Sequence, residues 1–399
     1  MPVAPTTSTQ PSAYVEQWVQ LGSDIHGESS LDEAGVLITL SSNGAVLAVG
    51  AWLNNGVGLN PGHVRVYILA GGQWMQLGDD IDGVAEEDQF GWSVALSEDG
   101  MVLAVGADEY NGVNGANSGQ LRVFQWNGTL WQAMGSAIDG EAQNDEFGYA
   151  ASLSGNETVV AVGDRFNDGG GTDAGSVRIF GWDGLEWLQR GTDLDGTSPD
   201  AWFGYSVALS LDGSIVACGG VWDDAAGFRS GQARIFHWNG TTWNQLGTTI
   251  NGQTDDYFGE SIALSGNGTV VAVGAANGNY CEVYRFDGID WSQVGQTING
   301  VANSRFGHSI ALSQNGGVII IGATLDDSRR DDAGLALVYR LTSDSVWVQV
   351  GNDLNGDAPE DWFGYSVAIS ADGTRIAVGG PRHDGRALNA GRVRVYQLA

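Results

Sequence analysis

The sequence predicts an all-β fold in which seven four-stranded antiparallel sheets stand as the blades of a closed ring. Three observations lead there. A tryptophan recurs at Trp18, Trp74, Trp131, Trp187, Trp243, Trp291 and Trp347, spaced 56 or 57 residues apart except for one gap of 48. Two glycines follow each tryptophan in register, the first at Gly22, Gly78, Gly135, Gly191, Gly247, Gly295 and Gly351. The second ends an Ile/Leu-x-Gly step, at Gly27, Gly83, Gly140, Gly196, Gly252, Gly300 and Gly356. Between these landmarks, short runs alternate apolar and small residues with period two, as half-buried strands do, and no segment carries a helical period.

The elements follow in order within each unit. The first run opens on Phe-Gly, at Phe90, Phe147, Phe203, Phe258, Phe306 and Phe363, with Ala34-Gly35 in the same column of the first unit. An Asn-Gly or Asp-Gly pair then joins the first and second runs, at Asn43, Asp99, Asp212, Asn267, Asn315 and Asp372. Such pairs tolerate the positive φ that a tight hairpin demands. Similar pairs at Asn127, Asp183, Asn239 and Asp287 separate the third run from the fourth, which carries the tryptophan. A four-stranded sheet cannot bury both of its faces alone, whereas seven packed radially can. The chain starts on a fourth-strand sequence, Trp18 to Leu21, and stops after a third-strand sequence, Val393 to Tyr396. The N-terminal strand is therefore expected to join the last blade and close the ring, removing its open edges. Residues 1–17 read as a polar, disordered leader and 18–399 as a single seven-bladed β-propeller.

Composition narrows the partners. There are 48 acidic residues against 17 basic ones, all arginine, for a net charge of −31. Such a field repels phosphate backbones and anionic lipid, which argues against nucleic acid. No run approaches the ~20 apolar residues of a spanning helix, so no membrane insertion is expected. The leader lacks the basic start and apolar core of a signal peptide. Cys218 and Cys281 fall in apolar runs and read as small buried hydrophobes, not as a disulfide or metal motif.

The Phe-Gly start, the Ala-Val-Gly-Ala end of the second strand and the Gly-x-Val-Arg-Val-Tyr third strand resemble the FG-GAP repeat of the integrin α-subunit propeller. Repeats carrying a Trp-x-Gln strand resemble them more closely still. The resemblance covers about residues 18 to 399. It implies adhesion or ligand binding on a propeller face, and an extracellular or cell-surface setting. The calcium loop that many integrin-type blades hold between their first two strands is replaced here by a bare two-residue turn, so that site is not implied.

In a meander of this kind, links from strand four to the next strand one, and from strand two to strand three, emerge on one face. They carry 23 and 12 acidic residues, so 35 of the 48 lie on that face. Ten tryptophans sit in strands three and four and read as packing between blades. The remaining five, Trp52, Trp92, Trp202, Trp222 and Trp362, fall in or beside the acidic links. Aromatic rings beside carboxylates suit sugars or cationic side chains. These five, with Asp223, Asp224 and the basic pair Arg329 and Arg330, form the expected ligand site. Asp164, Asp168, Asp173, Asp326, Asp327 and Asp331 crowd two loops and would hold calcium only weakly, lacking the ligand order of a rigid loop. No cofactor is required. An aspartate two residues before Phe-Gly (Asp32, Asp88, Asp145, Asp256, Asp361) is expected to accept nearby backbone N–H groups. The strand-three arginines Arg65, Arg122, Arg178, Arg234 and Arg394 are expected to pair with acids of the adjacent blade. No zinc motif, phosphate loop or nucleophile elbow is present. The leading reading is a monomeric, non-enzymatic module that binds protein or glycan ligands on its acidic, Trp-bearing face, with divalent cations as further partners. A glycoside hydrolase or lyase using face carboxylates, and a structural ring within a larger assembly, are the alternatives.

Overall fold

The computed structural model describes residues 16–56 and 58–399, so most of the leader lies outside the described residues. Seven antiparallel sheets form the ring. Blade four is representative: Phe203–Leu209 lines the centre, then Ile215–Gly220, Gln232–Trp238 and Trp243–Gln245 step outward. Each blade also carries a short fifth strand that the four-strand expectation missed. The Ile/Leu-x-Gly step is extended backbone paired to strand three beside strand four, as Ile250–Asn251 does with Gln232 and Ala233. A turn at the first glycine offsets the two pieces of this outer edge.

Closure is as expected. Trp18–Gln20 pairs with Arg392–Leu398, in the register Trp18 to Leu398 and Gln20 to Tyr396. The seven repeated tryptophans lock the ring by one rule: each indole Nε1 donates to a carbonyl of the preceding blade. Trp187 donates to Met134 at 2.9 Å and Trp243 to Arg190 at 2.7 Å. Trp18 donates to Val350 at 2.9 Å, which carries the pattern across the join.

Apolar clusters lie between neighbouring blades. One joins Val159, Ala161 and Ile179 of blade three to Phe203, Val216, Cys218 and Phe236 of blade four. Cys218 and Cys281 are both buried and unpaired, and burial pushes their thiols far up from the usual range. The Phe-Gly column explains its own composition. Its glycines hold φ between 89° and 97°, which suits a residue without Cβ. The carbonyl of each meets the strand-two glycine of the blade before. A Cβ on Gly106 would stand 2.1 Å from the Gly148 oxygen.

The column aspartates do accept backbone N–H groups: Asp32 from Glu28 and Ser29, Asp88 from Val84 and Ala85, Asp361 from Asp357 and Ala358. The arginine column follows its expectation in part. Arg178 pairs with Glu141 and Arg394 with Asp357, but Arg122 and Arg234 donate to the carbonyls of Asp82 and Asp195. Their guanidiniums also cover paired phenyl rings, Arg234 over Phe203 at 4.7 Å and over Phe236 at 5.0 Å. The planar group satisfies an aromatic face and a carbonyl at once, which an acid is not needed to complete.

Candidate functional site at the channel mouth

Every blade sends one side chain from its Phe-Gly column into the central channel and turns sharply just before that column. The residue before the phenylalanine column holds a left-handed backbone in all seven blades: Glu33, Gln89, Glu146, Trp202, Tyr257, Arg305 and Trp362, with φ from 51° to 59°. That conformation costs a side-chain-bearing residue about 1–2 kcal/mol. It turns the chain sharply from the loop into strand one. The residue after the glycine, Val36, Trp92, Tyr149, Tyr205, Glu260, His308 or Tyr365, lines a cavity of about 260 Å³ in the central channel. Beneath it, Leu40, Leu96, Leu153, Leu209, Leu264, Leu312 and Ile369 form an apolar ring.

An aromatic collar surrounds the mouth. Trp202 stacks on Trp222 with centroids 3.5 Å apart, and lies parallel to Tyr205 at 6.4 Å. Trp52 meets Trp92 edge-on at 5.0 Å, Trp92 leads to Tyr149 at 5.5 Å, and Tyr149 to Tyr205 at 5.0 Å. Trp362 stacks with Tyr365 at 6.0 Å, and Tyr365 packs on His308 at 4.7 Å. Burial pushes the phenols of Tyr149, Tyr205 and Tyr365 up, so they stay protonated as hydrogen-bond donors.

Three carboxylates of the collar each have an arginine. Glu146 meets Arg165 at 2.7 Å, Glu33 takes the Trp52 indole at 3.0 Å with Arg382 at 4.0 Å, and Glu260 pairs with Arg305. Glu260 is the most enclosed of the three. Its Oε1 accepts from Arg305 and lies 2.7 Å from His308 Nδ1, while its buried Oε2 has no partner among the described residues. Burial alone would raise its carboxyl. The His308 hydrogen bond and the nearby guanidinium outweigh that and leave it below the usual glutamate value. Beside Arg165, Asp108 is fully enclosed with one oxygen unpartnered, and burial raises its carboxyl well above the ordinary range.

Of the sequence-predicted residues, the five tryptophans do converge here. Asp223 and Asp224 are spent on the loop itself. Asp223 is buried and accepts from the Ala225 N–H and the Ser198 hydroxyl, and Asp224 accepts from the Arg229 N–H. Arg329 and Arg330 are exposed at a loop tip away from the cavity lining. The cation candidates have similar duties: Asp168 accepts from the Asp173 N–H, Asp327 from Asp332, Asp326 from Ser328, and buried Asp164 from the Ser176 hydroxyl. Equivalent loops use Asn54, Asn55 and Asn111 for the same bonds, so an acceptor oxygen, not a charge, is what the position needs. Asp173 is half-buried and Asp331 exposed in those loops. One trio among the described residues, Glu28, His63 and Asp80, brings three ligand-type atoms within 4.8 Å. Arg65 already bridges its two carboxylates.

Sequence reasoning missed Tyr149, Tyr205, Glu260, His308, Tyr365, Arg165 and Arg305. For Tyr149, Tyr205, Glu260, His308 and Tyr365 the signal was the column immediately after Phe-Gly, where chemistry changes from blade to blade while its neighbours repeat; Arg165 and Arg305 lie outside that column.

A family model described as the FG-GAP repeat matches residues 82–124 and 355–396. The chain is a seven-bladed β-propeller, two segments of which match the FG-GAP repeat. Among solved structures, it is similar to the β-propeller domain of Myceliophteria thermophila Cps50 (Swd1). The TM-score is 0.59 at 12% identity, over 96% of this chain and 100% of that one. It is also similar to Kuenenia stuttgartiensis hydrazine synthase, with a TM-score of 0.57 at 12% identity, over 89% and 94% of the two chains. At such identity the likeness concerns the fold alone. Comparison with curated proteins finds no match.

Proposed function

We propose that this propeller is a non-enzymatic binding module that engages a protein or glycan ligand at the channel mouth of its acidic face. One observation carries the reading: tryptophan and tyrosine side chains from neighbouring blades form a collar around the central cavity. Loop anchoring alone would not require the clustering of the five tryptophans outside the blade-packing columns. Their position, where a ligand entering from solvent would meet aromatic surface first, supports the reading. Such surface is the usual anchor of binding sites.

The test is a glycan array and a pull-down comparing wild type with Trp202→Ala and Trp222→Ala. Met75→Ala, exposed on the outer edge of blade one, serves as control. Binding that falls in both collar variants and survives in the control supports the reading. Binding unchanged in all three removes it. Turnover of glycosides by the wild type would favour the hydrolase alternative instead.

A further inference from the structure

We infer that the ligand of the channel mouth is an uncharged saccharide whose terminal ring enters the cavity and donates a hydroxyl to Glu260. This rests on the binding reading above and adds the chemical class. The first argument is charge. Although the face is acidic, Glu33, Glu146 and Glu260 at the mouth each have their own guanidinium partner. A cation gains little from carboxylates that are already paired.

The second argument concerns the aromatic faces. Cations bind well over such rings, but the chain has already placed its own there. Arg165 covers Tyr149 at 3.9 Å, Arg229 covers Trp222 at 4.2 Å, and Arg382 covers Trp362 at 3.4 Å. The faces of the cavity itself, from Trp92, Tyr205 and Tyr365, carry no guanidinium in this way and suit the apolar face of a sugar ring. An anionic ligand would have to cross the surrounding acidic links, where 35 of the 48 acidic residues lie.

The third argument is polar satisfaction. Oε2 of Glu260 is buried without a partner among the described residues, and a group in that state costs stability until a donor reaches it. Oε1 is committed to Arg305 and His308, which fixes the carboxylate in place. An acceptor oxygen beside tyrosine hydroxyls matches a ring bearing several hydroxyls. The cavity, about 260 Å³, falls below the roughly 300–1,000 Å³ of sites for larger ligands, so it takes one ring and not a chain.

The experiment uses the full chain. Calorimetric titration with methyl glycosides of neutral hexoses, of hexosamines and of uronic acids is run on wild type, Glu260→Gln, Tyr205→Ala and Trp202→Ala, each checked for an intact melting transition. The expected result is binding of a neutral glycoside at least tenfold tighter than of its amino or uronic counterpart. It should weaken about tenfold or more in Glu260→Gln, as loss of a hydrogen bond to a charged group implies, and in Tyr205→Ala, as loss of an aromatic face against the sugar implies. If Glu260→Gln fails to fold, Tyr205→Ala decides. Preference for the charged glycosides, no glycoside binding at all, or neutral binding unchanged by Tyr205→Ala overturns the inference. A protein ligand captured by wild type and lost in Trp202→Ala, with no sugar bound, overturns the saccharide class while leaving the binding module standing. Loss of neither on Trp202→Ala removes both.

Discussion

Replacing Trp18 with alanine tests how the ring is held shut. Trp18 is 5% exposed and its indole reaches the Val350 carbonyl of the preceding blade at 2.9 Å. Removing a buried tryptophan costs about 3–5 kcal/mol, and leaving the carbonyl without its donor adds about 1–3 kcal/mol. The sum, roughly 4–8 kcal/mol, is comparable to the whole stability of many domains. At an unfolding entropy of about 2.1 cal/mol/K per residue, 399 residues convert this into a fall in Tm of about 5–10 °C. Trp187→Ala loses an equivalent bond, from a residue 7% exposed, but its strand stays tethered on both sides. Calorimetry should therefore show similar losses for the two variants. Limited proteolysis should cut only Trp18→Ala in the segment before Ala34. A disulfide across the direct partners Val19 and Gln397, built as Val19→Cys with Gln397→Cys, should restore about 2–4 kcal/mol to Trp18→Ala. A Tm unmoved by Trp18→Ala, or a formed disulfide that restores nothing, would refute the closure argument.

Asp108→Asn should stabilise the protein at pH 8 and lose that advantage as pH falls. The folded carboxyl is raised above its unfolded value by burial, so the wild type loses stability as pH rises from the unfolded pKa through the folded one. Paired melting curves from pH 4 to pH 8 check the sign. Gly148→Ala should cost more than Gly128→Ala. Both glycines hold φ 97°, but a Cβ at Gly148 meets the Gln120 carbonyl at 2.6 Å whereas Gly128 has open space. The backbone conformation alone accounts for about 1–2 kcal/mol, so denaturant unfolding should show Gly128→Ala in that range and Gly148→Ala beyond it. Asp88→Ala should destabilise by about 1–3 kcal/mol, the cost of orphaning the Val84 and Ala85 amides, with Asp88→Asn milder.

The ring was legible because its determinants repeat. The tryptophan column, the Phe-Gly column and the Asn-Gly turns each recur at one spacing, and closure follows from which strand type stands at each end. The short fifth strand was visible only as an Ile/Leu-x-Gly step, since two residues are too few for a periodic signal. The site was half legible. The five tryptophans stood out by failing to belong to a packing column, and the structure gathers them. The inner ring did not, because Tyr149, Glu260 and His308 sit one per blade inside otherwise repeated strands and become a set only when the ring closes. Charge compensation was equally hidden. Arg305 and Glu260 lie 45 residues apart, and Glu33 and Arg382 come from opposite ends of the chain, so the sequence did not show which carboxylates these arginines meet. The loop aspartates have a local duty that the sequence did not show: their carboxylates do the work that asparagine does in sister loops.

The most direct test of the account is a crystal structure of the protein soaked with methyl glycosides of neutral hexoses. The account predicts a sugar ring in the channel mouth, against Tyr205 and Tyr365, with a hydroxyl on Glu260 Oε2. A glycoside bound only at the outer loops or between blades, with the mouth unoccupied, would contradict it.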